Sequence, residues 1–105
     1  MNEEVERLLR QTSQTRHQFL HVEIQTCLTG LQMGRFELEA GNRDVARREV
    51  SMVEKGTQVI RRFLADVPSP QKEELTTQLE AVEEKLSELK SSLDGRPPGE
   101  IPSVR

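Results

Sequence analysis

Two histidines, a glutamate and the single cysteine are the residues of this sequence whose types and spacing could do chemistry. His17 and His21 lie four residues apart, and Glu23 and Cys27 follow. Two histidines at that spacing share a helix face and could hold one metal ion. The chain has no other histidine, and no glutamate follows His17 as a zinc-peptidase helix requires. We therefore expect no metal and no cofactor, and keep a metal site at His17 and His21 as a third alternative.

Cys27 is the candidate nucleophile, but its surroundings do not favour that role. It lies within a row of apolar residues, and a thiol buried there lacks the exposure and the activating base that a nucleophile needs. The sequence has no Ser-His-Asp pattern, no phosphate-binding glycine loop and no dinucleotide fingerprint. We predict that the protein is not an enzyme.

The elements that position these residues are predicted by three apolar rows, here called the core seams. Each seam advances by 4, 3, 4, 3 and 4 residues, the spacing that keeps side chains on one face of an α-helix. Each spans about 27 Å at ~1.5 Å per residue. Three matched seams predict an all-α, antiparallel three-helix bundle with coiled-coil-like packing. The seams are Leu20, Ile24, Cys27, Leu31, Gly34, Leu38; Ala46, Val50, Val53, Thr57, Ile60, Leu64; and Leu75, Leu79, Val82, Leu86, Leu89, Leu93.

The breaks between the seams set the expected organisation of the chain. The first and longest helix should cover about residues 2–40, the second about 43–65 and the third about 70–94. Together they form a helical bundle over residues 1–95. Residues 96–105 are rich in proline and are expected to be a disordered tail.

The ends of the helices carry recognisable signals. Gly41 followed by Asn42 favours the left-handed conformation that ends a helix. Asn42 can then cap the second helix, and Ser69 can cap the third. Glycines inside the helices need a separate reason: Gly34 should allow close approach of another helix, whereas Gly30 and Gly56 are expected to reflect local tolerance or a kink.

The residues before about His17, here called the arm, extend beyond the bundle by roughly 24 Å if the first helix is continuous. A lone helix that exposes valine and leucine is poorly stabilised in water. A thin core in a small domain also needs outside help, which one cysteine cannot supply as an internal disulfide. A second copy is the simplest cover; the alternatives are that the arm breaks near Ser13 and folds back, or frays. The expected interface residues are Val5, Leu8, Leu9, Thr12, His17 and Phe19.

Charge is unevenly distributed between the helices. The second helix is net basic and the third is net acidic, so some acids of the third should face arginines of the second. Two arginine pairs fourteen residues apart share one helix face. No aromatic residues interleave with them for base stacking, and the net charge is −3, so we expect no nucleic-acid binding. This basic ridge consists of Arg47, Arg48, Arg61 and Arg62.

These observations favour a non-catalytic protein–protein interaction module: a small scaffold, adaptor or chaperone-like bundle that forms a homodimer through the arm. The alternative is a monomeric helical hairpin that binds an amphipathic helix of another protein. No apolar run approaches the ~18 residues of a membrane span, and the acidic N-terminus does not resemble a secretory signal. With one cysteine on a seam, the expected location is the cytoplasm, without membrane association.

Overall fold

The computed structural model describes residues 3–95, except for the side chains of residues 5, 6 and 8–13. Three α-helices follow one another: α1 (Glu3–Glu39), α2 (Arg43–Leu64) and α3 (Gln71–Leu93). Over this range there is no strand, so the predicted all-α three-helix bundle with a long first helix is confirmed. Within the same range, no helix has both the length and the apolarity needed to cross a membrane.

The core lies where the three core seams meet. Every seam residue is buried except Leu38, which is half-buried and packs against the others. Leu20, Ile60 and Val82, one from each helix, are fully buried. Val67, in the connection between α2 and α3, closes one end of the core. The 4-3 spacing thus locates the interior of the bundle, because it keeps one face of each helix apolar.

Contacts between the helices fix their directions. Arg43, at the start of α2, donates a hydrogen bond to the carbonyl of Leu93 at the end of α3, and Lys90 lies 3.4 Å from the Glu54 carboxylate. The two helices are therefore antiparallel. Gly30 of α1 lies beside Val53 of α2, whereas the earlier Phe19 packs against the later Phe63, so α1 and α2 also run in opposite directions. The bundle is antiparallel, as predicted.

The helix ends agree only in part with the sequence signals. Gly41 has φ +88, and the Asn42 N–H donates to the Glu37 carbonyl at 2.8 Å, so α1 ends there as expected. Asn42 occupies the N-cap position of α2 as predicted, but without a side-chain cap bond, and the prediction of Ser69 as the cap of α3 was wrong. The Asn42 side-chain amide turns back to α1, where its NH₂ group donates to the Glu37 carboxylate at 2.7 Å, and its carbonyl oxygen accepts no cap hydrogen bond from α2. The Ser69 hydroxyl likewise donates to the Glu73 carboxylate, and Pro70 occupies the cap position of α3.

All three helix-interior glycines lie at close contacts. A Cβ on Gly34 would come within 2.8 Å of Leu89 Cδ2 on α3, which confirms the expectation of close packing there. A Cβ on Gly30 would lie 2.9 Å from Val53 Cγ2 on α2. Gly56 is equally tight against α1, so the interpretation of Gly30 and Gly56 as local tolerance or a kink was wrong: both allow α1 and α2 to approach each other closely.

Candidate interaction surface

Several large apolar side chains remain on the surface of the bundle. Their exposed fractions range from 39 % to 65 %, too high for core residues. Scattered exposed apolar residues are ordinary, but these concentrate on α1 and on the adjoining part of α2, which is the usual sign of a binding surface. They are Phe19, Val22, Met33, Phe36, Met52 and Phe63.

A groove of about 700 Å³ runs between α1 and α2. Its floor is formed by Gly30, Gly56 and Cys27, where the two helices come close together because Gly30 packs against Val53 and Gly56 against Cys27. Among the described residues, α1 and α2 alone line it. The apolar walls are Val22, Met33, Met52 and Val59, and the charged or polar rim includes His21, Glu23, Glu49 and Lys55.

The aromatic rings of Phe19 and Phe63 mark one end of this surface. Their centroids are 5.8 Å apart and their planes make an angle of 79°, the edge-to-face geometry that aromatic pairs favour. Phe63 is next to the last residue of α2, so the part of α1 before Phe19 continues past that end of α2. α1 is a single helix of 37 residues and crosses Ser13 without a break.

The predicted interface residues fall into two groups. Val5, Leu8, Leu9 and Thr12 lie on α1, but their side chains are outside the described part of the structure. His17 is half-buried and lines a cleft of about 290 Å³ together with residues 66–68 and 71. Phe19 is exposed beside the groove.

The two histidines do not come together with further ligands. His21 borders the α1–α2 groove, whereas His17 borders the cleft at the base of the arm. In the part of the chain that the structure describes, no group of three or more His, Cys, Asp or Glu residues could hold a metal ion. The described part of the surface therefore has no cluster of side chains suited to bind a metal ion.

Cys27 is a structural residue of the groove floor. It is buried, and its thiol lies 4.0 Å from the Val53 carbonyl of α2. Burial raises the pKa of the thiol, and the nearby Glu23 carboxylate raises that pKa further. A thiol that resists ionisation is a poor nucleophile.

The basic ridge is only partly engaged within the bundle. The Arg61 guanidinium on α2 donates to both carboxylate oxygens of Glu83 on α3, with Nε to Oε2 at 3.0 Å, and this pairing raises the pKa of Arg61. Such a pair is the contact between a basic α2 and an acidic α3 that the charge distribution predicts. The other ridge residues, Arg47, Arg48 and Arg62, are exposed.

No family model, curated protein or solved structure matches this chain. Sequence reasoning singled out the arm but missed the α1–α2 groove. The available signal was a second row of apolar residues on α1, which includes Phe19, Val22 and Met33.

Proposed function

We propose that this protein is a non-catalytic interaction module of the cytoplasm that assembles as a homodimer through the N-terminal part of α1. Its role is that of a scaffold or adaptor. The bundle presents a binding surface, and a second copy of the chain covers the arm. Cys27 is a free, buried thiol, which is consistent with a reducing compartment.

The observation that supports this proposal is the continuity of α1 from Glu3 to Glu39. At about 1.5 Å per residue α1 is about 55 Å long, while α2 and α3 are about 33 and 35 Å long. The excess length carries valine and leucine residues, and an isolated helix of that length is marginal in water. Helix contact with a second copy supplies the missing packing.

The solution mass tests the proposal directly. Light scattering across a dilution series should give twice the chain mass of 12.0 kDa, with dissociation to monomer at low concentration. The variant L8S/L9S should shift the protein toward monomer while its helical circular dichroism is retained. As a matched control, serine at two exposed positions of the same helix outside the proposed contact, Q14S/R35S, should leave the mass unchanged. A monomeric wild-type protein at every concentration would contradict the proposal.

The α1–α2 groove favours a second candidate function. An apolar channel between two helices can receive an amphipathic helix of another protein, with Val22, Met33 and Met52 as contacts. In that case the protein is monomeric alone and recovers a partner in affinity capture. The variant M52E, which places a carboxylate on the groove wall, should abolish that capture without changing the mass.

A further inference from the structure

A second 3-4 row of residues runs along the whole of α1 beside its core seam, and we call it the outer seam. Its ten positions alternate by 3 and 4 residues, and all of them are apolar or threonine. Every outer-seam side chain that the structure describes is exposed, so packing within one bundle does not account for the pattern. The outer seam consists of Val5, Leu8, Thr12, Thr15, Phe19, Val22, Thr26, Thr29, Met33 and Phe36.

The threonines of this row can pack in a helix–helix contact although threonine is a polar residue. The Thr26 hydroxyl donates to the Val22 carbonyl of its own helix at 2.9 Å. That bond satisfies the polar group locally and leaves the methyl group available for packing. A regular 3-4 row of packing residues is the pattern by which helices pair as coiled coils.

We infer that the outer seam pairs antiparallel with the outer seam of a second copy, in the register that places residue i opposite residue 41 − i. This inference rests on the proposed function and specifies the geometry of the dimer. Reversal about the midpoint places Val5 opposite the partner's Phe36 and Leu8 opposite the partner's Met33. Phe19 packs against the partner's Val22 on either side of the two-fold axis. Apolar layers then stand at the centre and at both ends, with threonine layers between them.

The flanking charges select this register from those that the 3-4 spacing allows. Coiled-coil partners can slide by seven residues and keep the seams in contact. In the proposed register Arg16 lies beside the partner's Glu23, and symmetry repeats the pair. A slide by one heptad in one direction brings Arg16 beside the partner's Arg16, and a slide in the other brings Glu23 beside the partner's Glu23. Like charges at such positions are unfavourable, so the complementary register is preferred.

The opposite flank does not disturb this choice. It carries glutamines at four successive heptad positions, which face one another in the proposed register, whereas in each slid register one of them faces Glu4 or Glu39 instead; none of these glutamine contacts pairs like charges. In the proposed register Glu4 and the partner's Glu39 approach only at the outer ends of the pair, where solvent and salt screen the repulsion. The glutamines are Gln11, Gln18, Gln25 and Gln32.

The same register explains the α1–α2 groove. Leu9 lies off the outer seam, on the flank that carries Arg16. In the antiparallel pair, position 9 of the helix comes level with the partner's Gly30, on the floor of the groove. The arm of each copy thus occupies the groove of the other, which covers the apolar walls and the arm at once.

Cysteine cross-linking tests the register. In a Cys27→Ala background, L8C/M33C should form a disulfide-linked dimer under mild oxidation. The two positions are about 37 Å apart along one helix, whereas a disulfide needs Cα atoms within about 7 Å, so the link must join two chains. Two pairs serve as controls. L8C/T26C would cross-link in the register shifted by one heptad, and V5C/T15C would cross-link if only the arms paired. Both should cross-link at least about tenfold more slowly than L8C/M33C.

Charge reversal tests the contact between Arg16 and the partner's Glu23. R16E and E23R should each weaken the dimer about tenfold, and R16E/E23R should restore it. Two results in a protein that is still dimeric would overturn the inference and leave the proposed function standing. One is that R16E/E23R does not restore the dimer; the other is that either control pair cross-links faster than L8C/M33C. A monomeric wild-type protein overturns both. Circular dichroism of each variant separates loss of pairing from loss of folding.

Discussion

Gly56 on α2 and Cys27 on α1 are packed so closely that a Cβ on the glycine would lie 2.8 Å from the cysteine Sγ. Real Cβ atoms do not approach a sulfur that closely, so the side chain of Cys27 occupies the space that any larger residue at position 56 would need. The two residues are in contact under the groove, between α1 and α2. The change in unfolding free energy on substitution at position 56 therefore reports how tightly the helices are packed there.

Alanine at position 56 should destabilise the bundle, although alanine is the better helix former. Overpacking of a filled site costs about 1–3 kcal/mol, while the gain in helix propensity is about 1 kcal/mol. We expect Gly56→Ala to lower the free energy of unfolding by about 1 kcal/mol net, measured by urea denaturation.

A double-mutant cycle isolates the contact. In a Cys27→Ala background the sulfur is gone, so the same Gly56→Ala change should instead be neutral or stabilising by up to about 1 kcal/mol. An equal loss in both backgrounds would show that the sulfur is not the atom in conflict.

The raised pKa of Cys27 predicts a loss of stability in alkali. Because burial keeps the thiol neutral in the fold, the folded state holds its proton to a higher pH than the unfolded chain, whose thiol ionises near about 8.5. The contribution of the thiol to stability is complete below that pH and falls as the pH rises toward the folded pKa. Urea midpoints measured from pH 7 to 10.5 should fall more steeply for wild type than for Cys27→Ala. Parallel curves would contradict the prediction, since lysine and arginine titration is common to both proteins.

The fold is largely predictable because burial in a helical bundle follows a local period. The 4-3 spacing assigns Leu20, Ile60 and Val82 to the core without any knowledge of which helices are neighbours. Val67 escapes prediction, since its burial depends on how the chain turns after α2. Asn42 holds the N-cap position of α2 without a side-chain cap bond, because the orientation of its amide is set by the Glu37 carboxylate, which comes within reach only once α1 has ended.

The candidate surface is less predictable because it arises between elements. Gly30 and Gly56 are 26 residues apart in the sequence and form one groove floor only after α1 and α2 pack together. Neither glycine alone indicates a groove. Exposure also depends on how the helices pack. Met33 follows a helical period as a core residue does, but it lies beside the core seam and therefore stays on the surface.

The Arg61–Glu83 pair should contribute little to stability but help to fix how α2 and α3 align. The Arg61 side chain is 60 % exposed, and such pairs are worth about 0.2–1 kcal/mol. Arg61→Glu should cost somewhat more than Arg61→Ala, since it places two carboxylates together, and R61E/E83R should recover most of the loss. Thermal melts at low and high salt check this, because the difference between the single and double variants should shrink as salt screens the charges.

The basic ridge should not bind nucleic acid with useful affinity. Four arginines lie on α2, but Arg61 is engaged by Glu83, and the acidic α3 lies alongside, so the potential over the ridge is partly cancelled. Phosphate contacts account for most non-specific binding and weaken steeply with salt. Fluorescence anisotropy with a labelled duplex at about 150 mM salt should therefore detect no binding below about 100 μM protein.

Two variants serve as controls for this measurement. E83Q frees Arg61 and removes a negative charge, so it should strengthen any weak binding at low salt, whereas R47A/R48A should abolish that binding. Saturable wild-type binding at that salt, lost in R47A/R48A, would instead make the ridge a nucleic-acid interface.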